Sequence, residues 1–261
     1  CQTPSSALGS CRMKLSDWEE STFEYDKILG IFRKYDIGYF VYIGGNDSMD
    51  TVAKLSAYCK EKGVEDIKVI GGPKTIDNDL CGIDHCPGFG SAAKYISTVF
   101  CELEQEITVY EPKNVIIVEM MGRHAGWLTA ASVLARKFKG DNPVLIYLPE
   151  VAFDPDAFIA KVKEALKTTP NLVVCISEGI NDGKGTFICE YASDVGVDTF
   201  GHKMLTGSGK YLENLVKEKV GVKVRSIELN VCQHCSSSML SAADLTEAIG
   251  AVSYTHLRAH E

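Results

Sequence analysis

The chain has 261 residues, 45% of them hydrophobic and 24% charged with both signs mixed, as suits an ordered domain with a sizeable core. Its net charge of −8 argues against nonspecific binding to nucleic acid or anionic membrane, because a global negative field repels both. No apolar run approaches the ~18 residues of a membrane-spanning helix, and residues 1–12 lack the charged and apolar regions of a signal peptide.

In chain order, short apolar runs over 39–43, 67–70, 115–118, 144–148, 172–176 and 224–229 predict buried strands. They are rich in Val and Ile and mostly continuous rather than alternating, as in a sheet covered on both faces. Apolar residues at helical spacing predict helices over 48–62, 90–106, 125–137, 155–167 and 203–219. This alternation predicts a doubly wound α/β fold, in which ligands bind beyond the carboxyl ends of the strands. Residues 181–185 form a turn-rich loop. Residues 253–261, reading SYTHLRAHE, carry no period and read as a non-native tail.

The ten cysteines mostly sit inside apolar runs, as Cys175 does within 172–176. They predict small core residues in a reducing cytoplasm. Cys232 and Cys235 have CxxC spacing, but no second pair completes a zinc site.

Three motifs fall directly after predicted strands. Gly44-Gly45-Asn46-Asp47-Ser48 opens a helix. Glycines let a phosphate approach the backbone, the helix start supplies free N–H groups, and Asn46 or Asp47 offers oxygen to Mg²⁺. An ordinary tight turn capped by Asp47 or Ser48 fits those residues equally well. Residues 71–79, GGPKTIDND, gather a cation, a hydroxyl and two carboxylates. Phosphoryl transfer to an alcohol needs such a set: a base for the hydroxyl proton, and cations and amides for the phosphoryl charge. A solvated loop with an Asx-turn is the bland alternative, made less attractive by two carboxylates crowded around Asn78. In residues 120–127, MMGRHAGW, Arg123 has the fork for a phosphate or sugar oxygen and Gly122 a main-chain N–H. His124 reads as structural or exposed, and Trp127 as core.

In this order on this pattern, the three motifs resemble the phosphofructokinase family, with its Gly-Gly-Asp-Gly-Ser, Thr-Ile-Asp-Asn-Asp and Met-Gly-Arg segments. Residues 6–12, SALGSCR, are similar to a segment near the family's phosphoryl donor. Residues 176–179, ISEG, resemble its strand end with a sugar-binding Glu, and Arg225 and Gln233-His234 fall where it has an Arg and a Gln-Arg pair.

The resemblance implies two Rossmann-like three-layer lobes with the active site between them, truncated at both ends: the family's first Gly-rich donor loop is absent, and its fold continues beyond Ala251. The donor lobe would cover 1–87 and resume over 238–252, and the sugar-phosphate lobe 88–237. It further implies Asp77 and Lys74 as catalytic residues, with Asp77 the general base. Thr75, Ile76, Asp77, Met121, Gly122, Arg123 and Glu178 would hold fructose 6-phosphate, and Arg225 and His234 its 6-phosphate. Arg12, Gly45, Asn46, Asp47 and Lys74 would face the donor, with Asn46 as a Mg²⁺ ligand. Because Arg225-type side chains can come from a neighbouring subunit, a homo-oligomer is implied.

Asp47 and Lys74 replace glycines of the ATP-using members. A carboxylate at 47 repels a nucleotide α-phosphate, and Lys74 offers a point charge to pyrophosphate. Both changes point to the pyrophosphate-using branch, which reversibly phosphorylates the C1 hydroxyl of fructose 6-phosphate in glycolysis. Asn46 replaces the family's usual Asp and His234 its usual Arg. The alternatives are an ATP-dependent enzyme and, in another class, a non-catalytic sugar-phosphate-binding regulatory subunit. NAD kinase shares a Gly-Gly-Asp loop but lacks the run at 75–79.

Overall fold

A computed structural model of the chain describes residues 14–138, 140–192, 207–229 and 232–235. Arg12 and the segments 6–12 and 253–261 therefore lie outside the described residues, as does the side chain of His234. The described residues fall into two compact units. The smaller takes 14–75 and 80–87, and the larger 76–79 and 88–235.

The smaller unit is built from α1 (Phe23–Lys34), β1 (Tyr39–Gly44), α2 (Asn46–Glu61) and β2 (Lys68–Pro73). The two strands pair in parallel, with Gly44 opposite Pro73. The helix α1, absent from the sequence-based element list, follows from apolar residues at i, i+4 and i+7: Tyr25, Leu29 and Phe32 are its buried face. They pack with Leu55, Tyr58, Cys59 and Ile67. The rings of Tyr25 and Tyr58 lie 4.9 Å apart, and the Tyr58 hydroxyl donates to Asp26 at 2.6 Å. The strand β1 departs from expectation. Tyr39, Val41 and Ile43 are more than half exposed, so β1 alternates and lacks the two-sided cover its apolar run suggests.

The larger unit contains α3 (Phe89–Thr108), β3 (Asn114–Met120), α4 (Trp127–Ala131), β4 (Leu145–Tyr147), α5 (Pro155–Thr168), β5 (Asn171–Ser177), α6 (Ser208–Val220), β6 (Lys223–Glu228) and the one-turn α7 (Cys232–Cys235). Its four strands are all parallel, in the order β4-β5-β3-β6. Alternate residues of the central strands feed two cores. Val115 and Ile117 with Leu172, Val174 and Ile176 meet α5 and α6 on one side. Ile116, Val118 and Met120 with Val173 and Cys175 meet α3 and α4 on the other. Two-sided burial explains the unbroken apolar runs, and each such side chain contributes about 1.5–3 kcal/mol. The start of α5 is fixed locally, by Pro155 in its first turn and by the Asp154 carboxylate accepting from the amides of Asp156 and Ala157.

Two expectations for residues 125–137 are corrected. The helix is short: α4 gives way to a 3₁₀ turn over Ser132–Ala135, and Arg136 is extended. The Arg136 guanidinium turns to the Pro143 carbonyl, with Nε at 2.8 Å, so a tertiary contact ends the helix that apolar spacing would continue. Trp127 is not core. It is 55% exposed, at the first position of α4, and stands edge-on to Phe89 with centroids 6.5 Å apart. His124 is exposed. Among the described residues, no helix is long and apolar enough to cross a membrane.

Candidate active site

Polar groups collect at the carboxyl ends of the strands in each unit. In the smaller unit the turn from β1 into α2 is tight: a Cβ on Gly44 would lie 2.0 Å from Ser48 Oγ, so the Ser48 hydroxyl occupies the space a side chain would need. Gly45, not Asp47 or Ser48, is the N-cap, and no side chain caps the helix. Asn46 and Asp47 occupy the first turn, both exposed. The Asp47 carboxylate thus sits where the helix dipole favours negative charge. Beside them the amide of Lys74 donates to the Gly44 carbonyl at 2.9 Å, which extends the β1–β2 pairing by one residue. The exposed Lys74 side chain therefore belongs to the same strand-end edge as Asn46 and Asp47.

In the larger unit β3 and β5 end flush, with Met120 opposite Ser177. Beyond them, the amide of Glu178 donates to the Met120 carbonyl at 2.8 Å. The amide of Gly122 donates to Glu178 Oε1 at 3.3 Å. The Ser177 hydroxyl donates to the Gly122 carbonyl at 2.6 Å and accepts from the Gly179 amide at 3.0 Å. Gly179 is required by this closure, since a Cβ there would lie 1.9 Å from the Arg123 carbonyl oxygen.

Glu178 is half-buried. Burial pushes its carboxyl up to about 7, and the nearby Asp77 carboxylate pushes the same way. The Gly122 amide and the Arg123 guanidinium oppose them. Asp77, Arg123 and Glu178 are therefore close enough to act on one another. Ile76 fixes the approach of Asp77: its own side chain is buried in the core with Met120, Ala92 and Ile96. Met121 packs partly against the same core. A carboxyl titrating near neutrality beside a second carboxylate and a guanidinium is the arrangement of an acid–base site.

Asp77, Met121, Gly122, Arg123 and Glu178 are thus brought together, and so, separately, are Gly45, Asn46, Asp47 and Lys74. Thr75 follows Lys74 and is half-buried. Within the larger unit, Arg225 stands apart from the Glu178 group. It is exposed on the edge strand β6, opposite Ile116, four residues upstream of Met120 and so about 13 Å along the strand. Among the described residues, no group of three or more His, Cys, Asp or Glu is arranged to hold a metal ion.

Two buried residues lie behind the site: Gln233, which sequence reasoning names beside His234 without a role, and Glu119, which it does not single out as a site residue. Gln233, 4% exposed, accepts from the Met121 amide at 3.3 Å and turns its own amide toward Met120 Sδ at 3.2 Å. Glu119, 2% exposed, accepts from the Gly209 amide at 2.6 Å. For Glu119 the available signal was a lone carboxylate in an otherwise apolar strand.

Comparison with known proteins places these features in a family. The phosphofructokinase family model matches residues 1–251. A pyrophosphate–fructose 6-phosphate 1-phosphotransferase from Xanthomonas campestris pv. campestris (strain B100) is 42% identical over 249 residues, 95% of this chain and 59% of that protein. A crystal structure of a pyrophosphate-dependent phosphofructokinase from Marinobacter aquaeolei superposes with a TM-score of 0.76 at 36% identity, covering 95% of this chain and 56% of that one. One from Nitrosospira multiformis gives a TM-score of 0.78 at 33% identity, covering 98% and 60%. The chain spans about three fifths of the length of the curated relatives it matches.

Proposed function

This chain belongs to the phosphofructokinase family, and on that premise we propose that the protein transfers a phosphoryl group from pyrophosphate to the C1 hydroxyl of fructose 6-phosphate. Asp77 accepts the hydroxyl proton as general base. Arg123, the Gly122 and Met121 main chain, Thr75 and Glu178 orient the sugar phosphate. Ile76, with its side chain buried, contributes through its main chain. Because Glu178 titrates near neutrality, it both accepts from and donates to sugar hydroxyls.

Gly45, Asn46, Asp47, Lys74 and Arg12 face the donor. The observation that carries the choice of donor is the shared strand-end edge of Asp47 and Lys74, where both side chains are exposed. Asp47 sets a negative charge against a nucleotide α-phosphate, while Lys74 supplies a compact cation for pyrophosphate. Mg²⁺ fits an edge with few protein ligands, since it keeps waters and binds chiefly through substrate phosphates. Asn46 would offer it a carbonyl oxygen, and the ion would neutralise phosphate charge. The homo-oligomer reading is supported by Arg225, exposed on the edge strand β6 and apart from the Glu178 cluster; it would serve the 6-phosphate of a neighbouring copy, joined by His234. A cytoplasmic setting accords with the buried thiols Cys59, Cys175 and Cys189, none of them in a disulfide.

The test is a coupled assay for fructose 1,6-bisphosphate with Mg²⁺ and either pyrophosphate or ATP, on the protein with its full parent sequence. Turnover with pyrophosphate alone supports the proposal. Turnover with ATP alone contradicts the reading of Asp47 and Lys74. Saturable fructose 6-phosphate binding with neither donor active points to a regulatory subunit instead.

A further inference from the structure

Glu119 is a carboxylate on the central strand β3 that the proposed reaction does not use, and it is almost wholly buried. Its Oε2 takes the Gly209 amide at 2.6 Å. The fit is close: a Cβ on Gly209 would lie 3.1 Å from the same oxygen. Its Oε1 is buried, with no hydrogen-bond partner among the described residues. The first residue of α6, Ser208, is fully buried, and its hydroxyl reaches the Glu178 carbonyl at 3.5 Å. A line of contacts therefore runs from Glu119 through the first turn of α6 to the main chain of Glu178, and from the Glu178 carboxyl to Gly122.

We propose that Glu119 is a positioning residue for sugar-phosphate binding: it anchors the start of α6 against the Glu178 main chain, and its charge repels that of the Glu178 carboxyl. The proposal rests on the reading of Glu178 as a sugar ligand. The charges around it are consistent. Burial pushes the Glu119 carboxyl up to about 7, the Gly209 and Gly207 amides oppose this, and Glu228 of β6 and Glu178 add to it. Cys189, in the 3₁₀ turn Ile188–Ala192, also feels the Glu119 charge, and burial is the main force holding its thiol up to about 11. Asp77 and Arg123 also act on Glu178, in opposite senses. Because like charges oppose each other's ionisation, a neutral Glu119 eases ionisation of Glu178.

Two variants of the full-length enzyme separate the roles. Glu119→Ala removes the acceptor for Gly209. Glu119→Gln keeps an acceptor and removes the charge. In Glu119→Ala, KM for fructose 6-phosphate should rise about tenfold, with KM for pyrophosphate within twofold and kcat within threefold of wild type. Glu119→Gln should restore that KM at pH 8 and move the acid limb of the KM profile to lower pH by about half a unit. Equal changes in both KM values, an unchanged KM in Glu119→Ala, or an unmoved acid limb in Glu119→Gln would each overturn the proposal. If Glu119→Ala does not fold, the acid limb of Glu119→Gln decides. Hydrogen exchange at the Gly209 amide reads the anchor without turnover. It should be at least tenfold faster in Glu119→Ala than in wild type or Glu119→Gln, and equal rates overturn the proposal. A wild type that turns over no fructose 6-phosphate fails the functional reading instead, whatever the exchange rates show.

Discussion

The amide of Gly122 donates to Oε1 of Glu178 at 3.3 Å, joining the turn after β3 to the residue after β5. One loop thereby presents Arg123 and a main-chain edge, the other a carboxyl. Ser177 closes the same pair of loops from below, through its bonds to Gly122 and Gly179. The closure is local and largely main-chain based.

Gly179→Ala tests that closure. The added methyl would lie 1.9 Å from the Arg123 carbonyl oxygen, a main-chain atom with little freedom to retreat. The variant should lose at least the 1–3 kcal/mol typical of overpacking, read as a lowered urea midpoint. Fructose 6-phosphate affinity should fall with it, by about tenfold or more, because the Arg123 and Glu178 loops separate.

Much of this architecture is legible in the sequence, for a physical reason. The runs 115–118 and 172–176 locate β3 and β5 because apolar burial on both faces leaves almost no polar position in either strand. The motifs at 44–48, 71–79 and 120–123 follow from chain order alone, since a parallel strand delivers its loop at the carboxyl end. The short α4 and exposed Trp127 are not legible, because the Arg136–Pro143 contact that ends the helix is tertiary. Nor are the roles of Glu119 and Gln233, whose partners Gly209 and Met121 lie 90 and 112 residues away. A lone Glu in an apolar strand announces that it needs a partner, not which one.

Stability should depend on pH from both sides. Burial alone would raise the Glu213 carboxyl, but Lys217, Ser226 and Lys210 outweigh it and bring the group down to about 2. The stability this contributes is present above the ordinary Glu value and is lost as pH falls through about 2. Its partner lysines are half-exposed, so with solvent screening it is on the order of 1–2 kcal/mol. Glu213→Gln should cost that much at pH 7 and nothing near pH 2 in urea titrations. Glu119 has the opposite sign. With its carboxyl up to about 7, the favourable term is complete below the ordinary value of 4.5 and is lost as pH rises through about 7. Glu119→Gln should therefore gain stability relative to wild type as pH rises, by about 1 kcal/mol at pH 5.5 and on the order of 3 kcal/mol at pH 8.5.

The donor argument predicts a switch. Asp47→Gly with Lys74→Gly removes the repulsion against a nucleotide and the cation offered to pyrophosphate. The double variant should lose at least 100-fold in kcat/KM with pyrophosphate, about 2.7 kcal/mol, and gain measurable turnover with ATP. Fructose 6-phosphate binding should stay within threefold of wild type, because the Asp77, Arg123 and Glu178 cluster lies in the other unit. Steady-state kinetics with both donors reads all three.

The central claim is that Asp77, held beside Glu178 by the buried Ile76, takes the proton from the C1 hydroxyl. The direct measurement is ³¹P NMR of the product formed from fructose 6-phosphate, pyrophosphate and Mg²⁺, for wild type and Asp77→Asn. Fructose 6-phosphate affinity is measured alongside by calorimetry. Phosphate appearing at C1 in the wild type, with kcat reduced at least 1,000-fold in Asp77→Asn (~4 kcal/mol) and affinity retained, is the predicted result. Asp77→Asn turning over within tenfold of wild type would contradict the account.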